Sequence, residues 1–254
     1  MSGPLELGFK AFDPHELLPH AVARRCGFYA EEGVEVRLVD IALRPDVPPP
    51  PAQVSCGAAA LAAAAGAPVR IVLVACAAPL FWLYGRGLEP LADGARIAAY
   101  PEVAPPAHFL RTLLERRGIS AVLLPCRDDG ARLALLVAGE VDAAVLSSAT
   151  PGPRAQAAGA VELVAFADEL SAPTTGLAVS EGFLEREPRS VAAVATALRR
   201  ALAVIHDDAV LAEDVVAASF GQTAAEARWM VERFRSASTA GGLSLAELAP
   251  TMPR

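Results

Sequence analysis

Short apolar runs recur along this chain, separated by segments of helical character, and that alternation limits its fold more than any other feature. Residues 5–9, 34–39, 69–75, 96–100, 121–124, 141–146, 161–166 and 177–179 read as strands, by alternation or by continuous apolarity. Helical segments fall among them at 57–65, 108–117 and 129–138, with a short one closing at 156–159. Strands joined through helices pair in parallel, because a crossover rather than a tight hairpin connects them, so the architecture is α/β. From residue 190 the pattern turns helical, over 190–206, 208–218 and 223–236, with Pro188 and Gly221 as punctuation. Such a tail is expected to return and brace the first of two α/β units. No repeat of fixed short period is present.

Two proline features interrupt the rhythm. Asp13-Pro14-His15-Glu16 has the form of a helix start, with Asp as N-cap, Pro in the first helical position and Glu three residues after the cap. Pro19 then argues that the main helix begins only at about residue 20 and runs to 30, before Gly33. Residues 41–53 carry five prolines, four of them consecutive from Pro48 to Pro51, and are expected to be extended, without helix or central strand.

Composition closes off several classes. Hydrophobic residues make up 54% of the 254, which excludes a disordered chain. With 29 acidic against 22 basic groups the net charge is −7, giving no general attraction for nucleic acid. Residues 71–84 are uncharged, but they fall short of the about 20 residues that cross a bilayer, and Pro79 interrupts them. Cys26, Cys56, Cys76 and Cys126 are far apart, with no CxxC pair, so a zinc knuckle or thioredoxin motif is excluded and buried free thiols are expected. The first residues show no leader pattern, so the chain as written is read as cytoplasmic, or as a periplasmic or lipid-anchored form whose leader has been removed. No Walker, GxGxxG, EF-hand or GxSxG motif is present, and no cofactor or metal is implied.

Candidate site residues follow from where strands end, since α/β folds bind ligands at the carboxyl ends of their strands. Lys10, the only lysine, follows the first strand, with Phe12 and His15 close behind. It reads either as a cation facing a cleft or as a solvated charge at a strand end. His15-Glu16-Leu17-Leu18-Pro19-His20 resembles HExxH only superficially, because the second histidine comes one residue too late and a proline intervenes. Ser55 and Cys56 precede a helix, where the hydroxyl either caps it or meets a ligand. Phe81, Trp82 and Tyr84 are stacking surface or core, with two of the three expected in the core. His108 opens a helix, and Thr174 and Thr175 sit where the chain crosses back, as hydroxyl donors or as a hinge.

Several blocks, in order and over nearly the whole chain, resemble one family. Phe28-Tyr29-Ala30-Glu31-Glu32-Gly33-Val34-Glu35-Val36, the Ala65-Gly66-Ala67-Pro68-Val69-Arg70-Ile71-Val72 step, Leu91-Ala92-Asp93-Gly94-Ala95-Arg96-Ile97-Ala98, Gly139-Glu140-Val141-Asp142-Ala143-Ala144 and Phe183-Leu184-Glu185-Arg186-Glu187-Pro188 are similar to segments of type II periplasmic solute-binding proteins, in the nitrate/sulfonate/taurine (NMT1/THI5-like) branch. The resemblance implies an α/β, two-lobed periplasmic-binding-protein-like (type II) fold with a ligand cleft between lobes. Lobe 1 would hold residues 1–88 and 174–254, the latter with the C-terminal helices, and lobe 2 residues 89–173. It also implies ligand contacts from Ser147 and Ser148, and hinge closure near residues 86–90 and 173–176.

Two departures matter. The proline-rich stretch replaces a helix that the family places after the second strand. Pro101-Glu102-Val103-Ala104-Pro105-Pro106 replaces a glycine/serine turn at a helix start, leaving Glu102 and few backbone donors, so a sulfonate or nitrate is disfavoured. The expected function is solute binding of ABC-transporter type, by a monomer that closes on a small, partly apolar or carboxylic molecule and delivers it to a permease. The competing expectation is a cytosolic enzyme on the same fold, resembling pyrimidine synthases, chorismate dehydratases or decarboxylases. A ligand sensor contacting another protein domain is a third.

Overall fold

The computed structural model describes residues 3–10, 12–41 and 48–244. The chain opens with β1 (Leu5–Phe9), α1 (Pro14–Arg25), α2 (Phe28–Glu31), β2 (Val36–Asp40), β3 (Ala52–Ser55), α3 (Cys56–Ala64) and β4 (Val69–Cys76). There follow β5 (Trp82–Gly85), β6 (Ala95–Ala99), α4 (Pro105–Arg117), β7 (Ala121–Pro125), α5 (Asp129–Val137), β8 (Ala143–Leu146), α6 (Gly152–Ala157), β9 (Val161–Ala165) and α7 (Phe166–Glu169). The last part comprises β10 (Thr175–Ser180), α8 (Glu181–Arg186), α9 (Pro188–Asp207), α10 (Ala209–Phe220), α11 (Ala224–Ala237) and β11 (Ser238–Leu243). The chain forms two compact units, one of Met1–Ala77 with Ala172–Arg254 and one of Ala78–Ser171. Against the expected boundaries at 88/89 and 173/174, the first lies earlier, because β5 pairs with β8 and β9 of the second sheet.

The first unit carries a six-stranded sheet in the order β11-β4-β10-β3-β1-β2. β1 pairs in parallel with both β2 and β3, while β10 runs antiparallel between β3 and β4. The carboxyl ends of β1 to β4 therefore lie along one edge, together with the amino end of β10. Leu7, Leu18, Val22, Leu73, Leu198, Leu202 and Phe234 fill its core. The second unit has a five-stranded sheet, β7-β6-β8-β5-β9, in which only β5 runs against its neighbours. Its core joins Leu83, Ile97, Leu110, Leu113, Val145 and Phe166.

Several elements depart from the sequence reading, among them strand β11, which follows a tail expected to be helical. Helix α1 starts at Pro14 and runs through Pro19 rather than starting near residue 20. An interior proline costs about 3 kcal/mol. Burying Leu17, Leu18 and Val22, at roughly 1.5–3 kcal/mol each, outweighs it. Ala52 and Gln53, expected in the extended connection, begin β3 at the centre of the first sheet, where Leu7 lies opposite Ala52. Pro51 precedes the strand, so its missing N–H removes no ladder bond, and its carbonyl accepts from Ser180 N at 2.8 Å. Residues 42–47 of that connection lie outside the described residues; among the described ones no α-helix separates β2 from β3. β5 is not among the strands expected from the sequence, because its four consecutive buried residues carry no period.

Gly176 shows how tightly the central strands fit. Its φ is +157°, and a Cβ there would press into the Leu73 carbonyl oxygen and lie 2.9 Å from Cys56 Sγ. Gly176→Ala is expected to lower unfolding free energy by about 3 kcal/mol or more, because backbone on both sides leaves no room to relax. Chemical denaturation of the variant checks this.

Candidate functional site

At the carboxyl edge of the first sheet, polar side chains converge from α1, β3, α3, β4 and β10. Asp13 caps α1, accepting from His15 N at 3.1 Å. The His15 ring is enclosed, with Nε2 2.9 Å from the Met230 carbonyl of α11, and lies against Trp229 and Phe234. Burial holds its pKa down at about 4, with the Met230 bond opposing and Arg233 assisting, so it bonds as a neutral ring. His20 is likewise held at about 4, chiefly by burial, and bonds Tyr29 through Nδ1 at 2.7 Å. Glu16 is half-buried and pushed up to about 8, mainly by burial and then by the Asp13 charge, against a hydrogen bond with Ser55.

Two thiols lie beside this carboxyl group. Cys56 donates to the Leu73 carbonyl at 3.4 Å, and burial followed by the Glu16 charge raises its pKa. Burial also raises the Cys76 pKa well above the ordinary value, against a bond with Thr175. Both remain thiols at neutral pH and are poor nucleophiles.

The second sheet's edge is organised around Arg132, which has no exposed surface. Its Nε donates to the Val145 carbonyl at 2.6 Å, Nη1 to the Cys126 carbonyl and Nη2 to Asp129 Oδ1. Asp129 Oδ2 accepts from Ser147 N at 2.7 Å and Ser147 Oγ at 2.9 Å, while the Tyr100 hydroxyl donates to Oδ1 at 2.9 Å. The guanidinium also lies 3.7 Å over the Tyr100 ring. Arg132 thereby ties β7, β8 and the start of α5 together and fixes the Tyr100 ring. Phe81 meets that ring edge-on at 5.6 Å and lies 6.3 Å from Phe109 of α4, giving three half-buried aromatic rings at this edge.

The sequence candidates fall as follows. In the first unit, Lys10 is exposed at the end of β1, and Phe12 is 50% exposed, edge-on to Phe220 at 5.8 Å. His15, Ser55, Cys56, Thr174 and Thr175 share the edge just described. In the second unit, Phe81 joins the aromatic group, while Trp82 and Tyr84 are core. Ser147 and Ser148 are buried after β8, and the Ser147 hydroxyl also accepts from Ala149 N at 3.2 Å. Glu102 is exposed and paired with Arg111 at 2.7 Å, and His108 is exposed on α4. Glu16 enters the sequence reading as part of the helix start and of the HExxH-like string but not as a site residue, and Tyr100, Phe109, Asp129 and Arg132 are not singled out there. The available signal was an acidic residue in a helix's first turn with arginine three positions on, inside an otherwise apolar helix.

A family model described as NMT1/THI5 like matches residues 15–210. Among solved structures, the alkanesulfonate-binding protein SsuA from Xanthomonas axonopodis pv. citri, bound to MOPS, aligns with a TM-score of 0.72 at 18% identity, over 99% of this chain and 91% of that one. The periplasmic aliphatic sulphonate binding protein SsuA from Escherichia coli aligns with a TM-score of 0.70 at 16% identity, over 99% and 89%. The desulfurization enzyme DSZB aligns with a TM-score of 0.67 at 18% identity, over 97% and 90%. These likenesses establish the periplasmic-binding-protein-like fold. No curated protein sequence matches the chain significantly. Among the described residues, no helix is long and apolar enough to cross a membrane, and no His/Cys/Asp/Glu group is arranged to hold a metal ion.

Two outcomes follow from this electrostatics. Arg132→Met should destabilise the protein by about 3–5 kcal/mol, because the Asp129 carboxylate stays buried without its partner. Adding Asp129→Asn should restore part of that loss, as read by urea unfolding. Stability should also fall on both sides of neutrality. His15 and His20 take up protons more readily in the unfolded chain as pH drops from 6.5 to about 4. Glu16 holds its proton in the folded chain and loses it when unfolded as pH rises from 4.5 to about 8. Glu16→Gln should flatten the decline between pH 6.5 and 8 and steepen the fall from pH 6.5 to 4.5, where Glu16 opposes the two histidines.

Proposed function

The chain belongs to the NMT1/THI5-like family, and on that premise we propose that it is a solute-binding protein of ABC-import type that takes a small, partly apolar organic molecule. The observation that carries this reading is the trio Phe81, Tyr100 and Phe109 at a sheet's carboxyl edge, with Tyr100 pinned by Arg132 and Asp129. Fixed aromatic rings offer apolar area at little entropic cost, and the adjoining hydroxyls and carbonyls supply orientation. Of the partly apolar and carboxylic ligands the sequence suggests, the apolar kind has this support. A membrane permease is the proposed partner, and the compartment would be the one that permease faces.

A second reading, an enzyme on the same fold, draws on Glu16. A half-buried carboxyl group that keeps its proton near neutrality suits a general acid. The raised Cys56 and Cys76 thiols do not favour a thiolate nucleophile.

Thermal-shift screening of small aromatics and acids, followed by calorimetry and mass analysis of the recovered ligand, tests both readings. Unchanged ligand supports binding, and a product supports the enzyme. Phe81→Ala should weaken an aromatic hit by about tenfold, whereas Lys10→Ala should change its affinity by less than about threefold, because an exposed charge is screened. Equal affinity for wild type and Phe81→Ala would remove the aromatic edge from the site.

A further inference from the structure

Native sheets guard their outer strands, because an open row of N–H and C=O groups pairs with any extended chain that reaches it. Among the described residues, the outer strands are β2 and β11 in the first sheet and β7 and β9 in the second. Three of them carry a guard. β2 has Arg37 and Asp40, β9 has Glu162, and β11 slips register between Ser238 and Leu243 over two glycines. β7 has none. Its residues Ala121, Val122, Leu123, Leu124 and Pro125 are uncharged, its register with β6 is unbroken, and Val122 is 54% exposed.

The inner bonds of β7 fix which backbone groups face outward. Cys126 N donates to the Ala99 carbonyl at 2.8 Å, and the Ser120 carbonyl accepts from Gly94 N at 2.7 Å. Main-chain groups alternate in direction along a strand, so Ser120, Val122, Leu124 and Cys126 address β6, while Ala121, Leu123 and Pro125 turn outward. The missing N–H of Pro125 thus falls on the open side, where it removes no bond of the sheet.

We infer that this edge is a homodimer contact, in which β7 of a second copy pairs antiparallel with it about a two-fold axis at Leu123. Leu123 then exchanges both main-chain bonds with Leu123 of the second copy, and Ala121 N–H meets the Pro125 carbonyl in each direction. Val122 faces Leu124 of the second copy, so the cross-strand pairs are apolar. Charge complements the pairing at both ends. Asp93, held against Ser120 N at 2.9 Å, and Arg127, just past the other end of the strand, are both exposed. Setting Cys126 opposite Ser120 of the second copy carries Arg127 to the Asp93 carboxylate there, once on each side of the axis. A second copy is favoured over a foreign strand because the chain that offers the open row also supplies opposite charges in the matching order. The contact uses neither the aromatic trio nor the edge of the first unit, so it stands apart from the solute-binding reading.

Sedimentation velocity on the intact chain, from about 1 to 200 µM, is the test, because a strand pair is smaller than a standard interface and should hold in the micromolar range. Wild type should pass from monomer to dimer across that range. Val122→Lys sets a charge against Leu124, and Ala121→Pro removes an outward N–H without touching a bond to β6; each should weaken the dimer at least about tenfold. Arg127→Asp and Asp93→Arg should each be monomeric alone, since like charges then face each other. Mixed, they should form a one-to-one heterodimer, because both opposite pairs are restored. Thermal melts establish which variants are folded, and Val122→Lys and Arg127→Asp, which alter exposed side chains, cover the case in which another variant melts. A wild type that stays monomeric throughout overturns the inference, as does a dimer that folded Val122→Lys leaves intact. Folded charge variants that dimerise alone like wild type, or that stay monomeric when mixed, overturn the Arg127–Asp93 pairing and the register with it.

Discussion

Strand direction is the constraint on which the rest of this structure depends. Parallel pairing of β1 with β2 and β3, and of β6 with β7 and β8, requires each connection to cross back over its sheet. Each of these parallel strands then ends at the same edge of its sheet. The antiparallel strands β10 and β5 lie inside the sheets and bring their amino ends, with Thr174 and Phe81, to those same edges. Residues far apart in sequence therefore meet for topological reasons before any side chain selects another.

What the edges then do with charge differs between the units. In the second, a buried guanidinium is balanced by Asp129 and two carbonyls, and the gain is rigidity: Tyr100, Ser147 and the β7–α5 loop share one network. In the first, burial is met by neutralisation. His15 and His20 stay unprotonated and Glu16 stays protonated near neutrality.

The sequence made most strands and helices legible because their periods differ, and the Asp13 cap was readable because Asp-Pro at a helix start satisfies a specific backbone need. β3 and β5 were not, since four residues are too few to display a period and their pairing is decided by distant strands. The continuation of α1 through Pro19 was hidden because the compensating burial comes from tertiary packing. Ser55, Thr174 and Ser147 could be placed at strand ends from the order of elements alone. Tyr100 and Arg132 could not, because the ring and the guanidinium meet only once β6, β8 and α5 are assembled.

The cap on α3 carries a consequence for how the chain reaches this state. Cys56 and Gly57 give their amide protons to Thr174, a residue made long after α3 has left the ribosome. The second unit is one continuous stretch, Ala78–Ser171, and can close as soon as it is synthesised, whereas the first waits for Ala172 onward. During that interval the first sheet lacks β10, and β3 and β4 have exposed edges that invite mispairing. Order of synthesis therefore favours completion of the inserted unit first, with the N-terminal half held open until the chain's last third arrives.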